Sequence, residues 1–254
     1  MVTFINGFLR SLEYEQLQTL YSNINSLFWV VFSVVFLVYI RKSQKISWLK
    51  LILVLLIPYA VNSIIMLFAG VIKTISNGII PTFYPVYFIS IMFATTGVTA
   101  LVLKAKFTNI MDKFILSFFI SRPCHCIACL IAGCCHGVDV DWGLYSYNTG
   151  TTVLPLRAFE ALFVISLFCV GHWFYTHKKF KYDGQCAAVG MIAFGAWIFI
   201  FDIFCTTPSK IFFHLLSAVG ISASMTFIAG IIMLFVFSKK YPVLLLQKHC
   251  FLYV

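Results

Sequence analysis

The sequence predicts an all-α membrane protein: a polytopic bundle of about seven transmembrane helices, with the N-terminus outside and the C-terminus cytoplasmic. Three observations carry this expectation. Of 254 residues, 61% are hydrophobic and only 10% are charged, which is too apolar for a soluble domain and long enough for several spans. The apolar residues gather in runs of membrane-crossing length. The 18 Lys and Arg fall in short clusters between those runs rather than along one face, so the net charge of +10 reads as cytoplasmic loops and not as a nucleic-acid surface.

The elements follow in order. Residues 1–22 mix apolar positions (Phe4, Ile5, Phe8, Leu9, Leu12) with Arg10, Glu13 and Glu15, which fits an amphipathic arm at the interface. The same charges break up any apolar core, so no cleavable signal peptide is read there. The membrane domain is expected over residues 23–237. Its first span is the apolar Leu27–Ile40, starting near Tyr21 and ended by Arg41, Lys42 and Lys45.

Trp48–Val71 is the second span, with Pro58 and Asn62 tolerated where neighbours satisfy the freed backbone. After the turn-rich Lys73–Pro81 come Tyr84–Leu103 and Phe114–Ala132, the latter ended by Gly133. An irregular stretch, Cys134–Val153, precedes Leu154–Tyr175. Gln185–Cys205 and Ile211–Phe237 complete the seven, and 238–254 is left as a cytoplasmic tail.

Orientation follows from the loops. Alternate loops divide the cations so that thirteen of the 18 lie on one side, against only Arg10, Lys73 and Lys210 on the other. The positive-inside rule makes the rich side cytoplasmic. The loop Cys134–Val153, with Asp139 and Asp141 and no Lys or Arg, then faces outward.

Between Arg122 and Glu160 the chain places Arg122, His125, His136, Arg157, Glu160 and five of its nine cysteines amid hydrocarbon. An arginine at membrane depth costs roughly 2.5–3.5 kcal/mol on insertion scales, so such a cluster reads by default as a functional site. Arg157 and Glu160, three apart, share a helical face and either pair to lock two helices or jointly hold a headgroup. His136, in the loop, is where a base meets a thiol or water, whereas His125 sits within the helix. Gly133 and Gly137 suit a sharp turn or close approach of a headgroup to amide donors. Cys126 and Cys129 have C-x-x-C spacing, but inside an apolar helix they read as packing thiols, so no metal or other cofactor is expected.

Two segments carry a family resemblance. They are Cys126-Ile-Ala-Cys-Leu-Ile-Ala-Gly-Cys-Cys-His-Gly137 and Leu154-Pro-Leu-Arg-Ala-Phe-Glu-Ala-Leu162. They resemble the prolipoprotein diacylglyceryl transferase family, whose cysteine-bearing signature runs G-R-x-G-C-F-L-A-G-C-C-Y-G and later H-P-T-Q-L-Y-E-A-L. Cys129, Ala132, Gly133, Cys134, Cys135 and Gly137 fall on the first motif, Pro155 and Glu160 on the second. A fainter likeness covers Gly184, Gly195 and the acid Asp202.

The resemblance implies an enzyme of lipoprotein biosynthesis in the bacterial cytoplasmic membrane. It would transfer diacylglyceryl from phosphatidylglycerol to the lipobox cysteine thiol of a prolipoprotein signal peptide. It implies Glu160 and His136 as catalytic groups, and Arg122, Arg157, Cys129, Gly133, Gly137 and Asp202 as substrate-binding ones. The arginine opening the family motif is Cys126 in this chain, that of span six is Ile198, and Ala94 stands where the family has His or Tyr. Arg122, one turn before Cys126 on the same face, is positioned to supply the missing guanidinium. The alternatives left open are a non-catalytic relative that binds phospholipid or precursor, and a membrane thiol-redox or metal protein.

Overall fold

A computed structural model describes residues 2–43, 47–75, 84–133, 137–147, 149–205, 210–212 and 216–239. Among these residues the chain forms eight helices and four short strands. The arm is divided: α1 covers Val2–Ser11, and the rest of the amphipathic stretch runs straight into α2, Tyr14–Ser43. Next come α3 (Trp48–Ile75), α4 (Tyr84–Leu103), α5 (Phe107–Ala132), α6 (Leu156–Thr176), α7 (Gln185–Phe204) and α8 (Ala218–Lys239). Five of these, α2, α5, α6, α7 and α8, contain described stretches long and apolar enough to cross a membrane; α3 and α4 carry shorter apolar helices, Ile52–Ile65 and Ile89–Leu103. The protein is a multi-pass helical membrane protein.

Two helix starts and one loop differ from those expected. Helix α5 begins at Phe107 instead of Phe114, because Asp112 and Lys113 find partners and need not end the helix. Helix α8 begins at Ala218 instead of Ile211, since the preceding residues pair as β3 (Lys210–Phe212) with β4 (Leu216–Ser217). The irregular loop also contains strands, β1 (Asp139–Tyr145) and β2 (Thr152–Val153), which pair antiparallel around a bulge.

The core is centred on α5, against which α2 and α7 each pack. Phe32 and Phe36 of α2 pack on Phe114 of α5, with ring centroids 4.9 Å and 6.2 Å apart, and Phe118 meets Phe194 of α7 at 5.3 Å. Edge-on rings of this kind fill volume and add their own electrostatic attraction. Helices α7 and α8 approach backbone to backbone. A Cβ on Gly195 would stand 2.7 Å from Ala223 O, and one on Gly230 2.9 Å from Ala188 O, so small residues set this contact.

The start of α7 is held from α5. The buried Asp112 carboxylate accepts hydrogen bonds from Gly184 N and Ala187 N, both at 2.7 Å. It therefore serves as the cap that α7 lacks in its own sequence, and its charge faces the positive end of the helix dipole. Lys113, fully buried next to it, donates to Asn109 one turn earlier.

Candidate functional site

The site is built by one helix end and one helix start. Helix α5 stops at Gly133, whose φ of +61° places it in the left-handed region, and a Cβ there would lie 2.8 Å from Ser146 Oγ. Glycine alone satisfies both conditions. The turn lets the chain leave the bundle as the β1–β2 hairpin and return at Pro155, which precedes α6. Arg122 in α5 is thereby brought alongside Arg157 and Glu160 in the first turns of α6.

Both arginines converge on Glu160. Arg122 Nε donates to Glu160 Oε1 at 2.9 Å, and Arg157 donates through a terminal nitrogen to Glu160 Oε2. Glu160 is 0% exposed, Arg157 is buried, and the Arg122 side chain keeps 19% exposure. The guanidinium carbons are faced by aromatic rings, Arg122 by Phe118 at 5.9 Å and Phe194 at 6.0 Å, Arg157 by Phe201 at 5.0 Å. Each arginine is thus paired in one direction and ring-stacked in another, the arrangement that makes a guanidinium tolerable away from water.

Arg122 engages Glu160 through Nε, and a guanidinium has four further N–H donors in a planar fork. On a partly exposed side chain, those donors are what an arriving anion would meet. A phosphate is the oxyanion such a fork fits best.

The other expected site residues are placed as follows. Cys129 is buried in α5, two turns beyond Arg122, with Sγ 3.4 Å from His125 Nε2. Gly137 is buried and pairs with Cys205 just after α7, while Asp202 is buried in the last turn of α7. Leu156, Phe201 and Cys205 form a small apolar cluster beside Arg157. His136, with Cys134 and Cys135, lies outside the described residues. Cys126 and Ile198 are buried at 0% and 7% exposure and act as apolar packing. Cys124 and Cys126 are free thiols.

Sequence reasoning did not find Asn25, whose Oδ1 lies 2.7 Å from His125 Nδ1. It sits with Ser22, Asn23 and Ser26 in the polar first half of α2, where nothing in the sequence sets it apart. Nor was the tie between the arm and the hairpin foreseen: Asn6 accepts from Tyr145 N at 2.8 Å and donates to Gly143 O at 3.2 Å, with Arg10 over the Tyr145 ring.

No curated protein matches the chain. Residues 86–236, however, match the family model described as prolipoprotein diacylglyceryl transferase, a span that runs from the start of α4 to the end of α8 and includes every residue of the triad. On that match, which covers more than half of the sequence, the chain belongs to the prolipoprotein diacylglyceryl transferase family, membrane transferases of lipoprotein biosynthesis.

Proposed function

We propose that this protein transfers the diacylglyceryl group of phosphatidylglycerol to the lipobox cysteine thiol of a prolipoprotein signal peptide, in the bacterial cytoplasmic membrane. The observation that carries this reading is the convergence of Arg122 and Arg157 on Glu160, with Arg122 partly exposed. The lipid phosphate accepts from the Arg122 fork, and Arg157 is the second cation within reach of the developing phosphate charge. Glu160 holds both guanidiniums in place before substrate arrives, which is the preorganisation that electrostatic catalysis needs. Cys129, Gly133, Gly137 and Asp202 belong to the same substrate-binding end, and His136 supplies acid–base chemistry from the loop. In this reading seven helices, α2–α8, cross the membrane, with the N-terminus outside, the C-terminus cytoplasmic and the triad toward the outer leaflet. Arg122 stands in for the guanidinium that Cys126 displaces.

One observation favours a second reading, a relative that binds phospholipid or precursor without transfer. Both arginines already turn inward onto a buried carboxylate, as a purely structural lock would have them. The two readings part in one experiment. The chain is expressed in cells depleted of their own transferase, and a test lipoprotein is weighed for its diacylglyceryl mass. The transferase reading expects that mass from the parent and its loss in Arg122→Ala, with phosphatidylglycerol binding weakened roughly ten- to a hundredfold for a lost charge-assisted contact. Cys126→Arg is expected to preserve or raise transfer. An Arg122→Ala chain that binds lipid like the parent, together with no gain from Cys126→Arg, would establish the structural lock instead.

A further inference from the structure

A second polar chain crosses from α2 to α5 on the face of α5 that carries Arg122. Asn25 Oδ1 lies 2.7 Å from His125 Nδ1, and His125 Nε2 lies 3.4 Å from Cys129 Sγ. An amide oxygen has no hydrogen to give, so Nδ1 is the donor and the neutral ring keeps its lone pair on Nε2. That lone pair faces a thiol. The ring is also steadied by Phe28, edge-on with centroids 6.4 Å apart. An imidazole held at one nitrogen by an amide and offering the other to a sulfur is the arrangement by which a histidine takes a proton from a thiol.

The spacing puts this base within the site. Arg122, His125 and Cys129 stand at i, i+3 and i+7, on one helical face and about 10 Å from end to end. A lipid phosphate on Arg122 would therefore lie on the same face as a thiol at Nε2.

We propose that Asn25 and His125, in place of His136, form a base dyad that takes the proton of a thiol presented at Nε2, Cys129 in the resting protein and the acceptor cysteine of the incoming chain during transfer. Its action on Cys129 stands by itself; its action on the acceptor rests on the proposed transferase reaction. In that step the acceptor S–H gives its proton to Nε2. The sulfur electron pair forms a bond to the glyceryl carbon that bears the phosphoester. The bond from that carbon to oxygen breaks with its pair leaving on glycerol phosphate, which then takes the proton back from His125. No other reactant is required.

The test uses the full chain in detergent–phosphatidylglycerol micelles at neutral pH, with His125→Gln, Asn25→Leu and Asn25→Asp beside the parent. The rate of Cys129 alkylation by iodoacetamide is followed by peptide mass spectrometry, and thermal melting reports folding. The thiolate is the reacting species, so His125→Gln and Asn25→Leu are expected to slow alkylation on the order of tenfold. Asn25→Asp, which keeps an oxygen on Nδ1, should retain the parent rate, a rescue that a packing role for Asn25 would not produce. Equal rates in the parent and in a folded His125→Gln chain would overturn the dyad; should that variant not fold, the Leu and Asp pair at Asn25 decides by the same comparison. Transfer to a synthetic lipobox peptide is measured in parallel, and His125→Gln should lower it about 100-fold, the usual range for a lost general base. A parent that transfers and a His125→Gln chain that transfers equally would overturn the acceptor step while the transferase reading stands. A parent without product overturns that reading, and the alkylation rates then decide the dyad alone.

Discussion

Glu160 answers two guanidiniums at once, and its removal would be felt by both. Breaking a buried ion pair from one side costs about 3–5 kcal/mol, because the stranded charge has no water to turn to. Glu160→Ala is therefore expected to lower the melting temperature sharply in detergent. Replacing all three residues together, Arg122→Met, Arg157→Met and Glu160→Leu, should recover most of that stability and abolish phosphatidylglycerol binding; melting and lipid binding measured on the same samples check the split. Of these contacts, the one between Arg157 and Glu160 was readable from a spacing of three. The bond from Arg122 across 38 residues and the one from Asn25 to His125 across 100 were not, since spacing gives the face of a helix but not which face of another helix meets it.

At the scale of elements, charge was the weaker guide and hydrocarbon the stronger. Apolar runs located every helix from α2 to α8, but Asp112 and Lys113 were taken as the edge of a span when they lie inside α5. A carboxylate that accepts two backbone N–H groups of a neighbouring helix can stay buried, and no local pattern announces such a partner. Asp112→Ala should destabilise the protein by about 2 kcal/mol by uncapping α7, and Asp112→Asn by less, since the amide keeps one acceptor. Hydrogen exchange at Gly184 and Ala187 should rise in both, in that order. The short strands were missed for a different reason: β2 and β4 are two residues each and β3 is three, too brief for an alternation to register.

For the whole molecule, orientation is the property that composition addresses most directly. The thirteen-to-three division of cations predicts that reporters fused after Lys106 or Lys181 read as cytoplasmic and one within Gly143–Thr151 as external; an external signal from the Lys181 fusion would reverse every span after α5. The same order of elements bears on how the protein is made. Helix α6 brings its own counter-ion, Arg157 with Glu160, whereas α5 reaches the bilayer with Arg122 and must wait for a carboxylate synthesised 38 residues later. An unpaired arginine at membrane depth disfavours insertion by roughly 2.5–3.5 kcal/mol, so α5 and α6 are expected to enter lipid as a pair rather than one after the other. A ribosome halted before α6 has emerged would accordingly hold α5 at the insertion channel, and the hairpin between the two helices would be committed to its side of the membrane only together with both of its flanking spans.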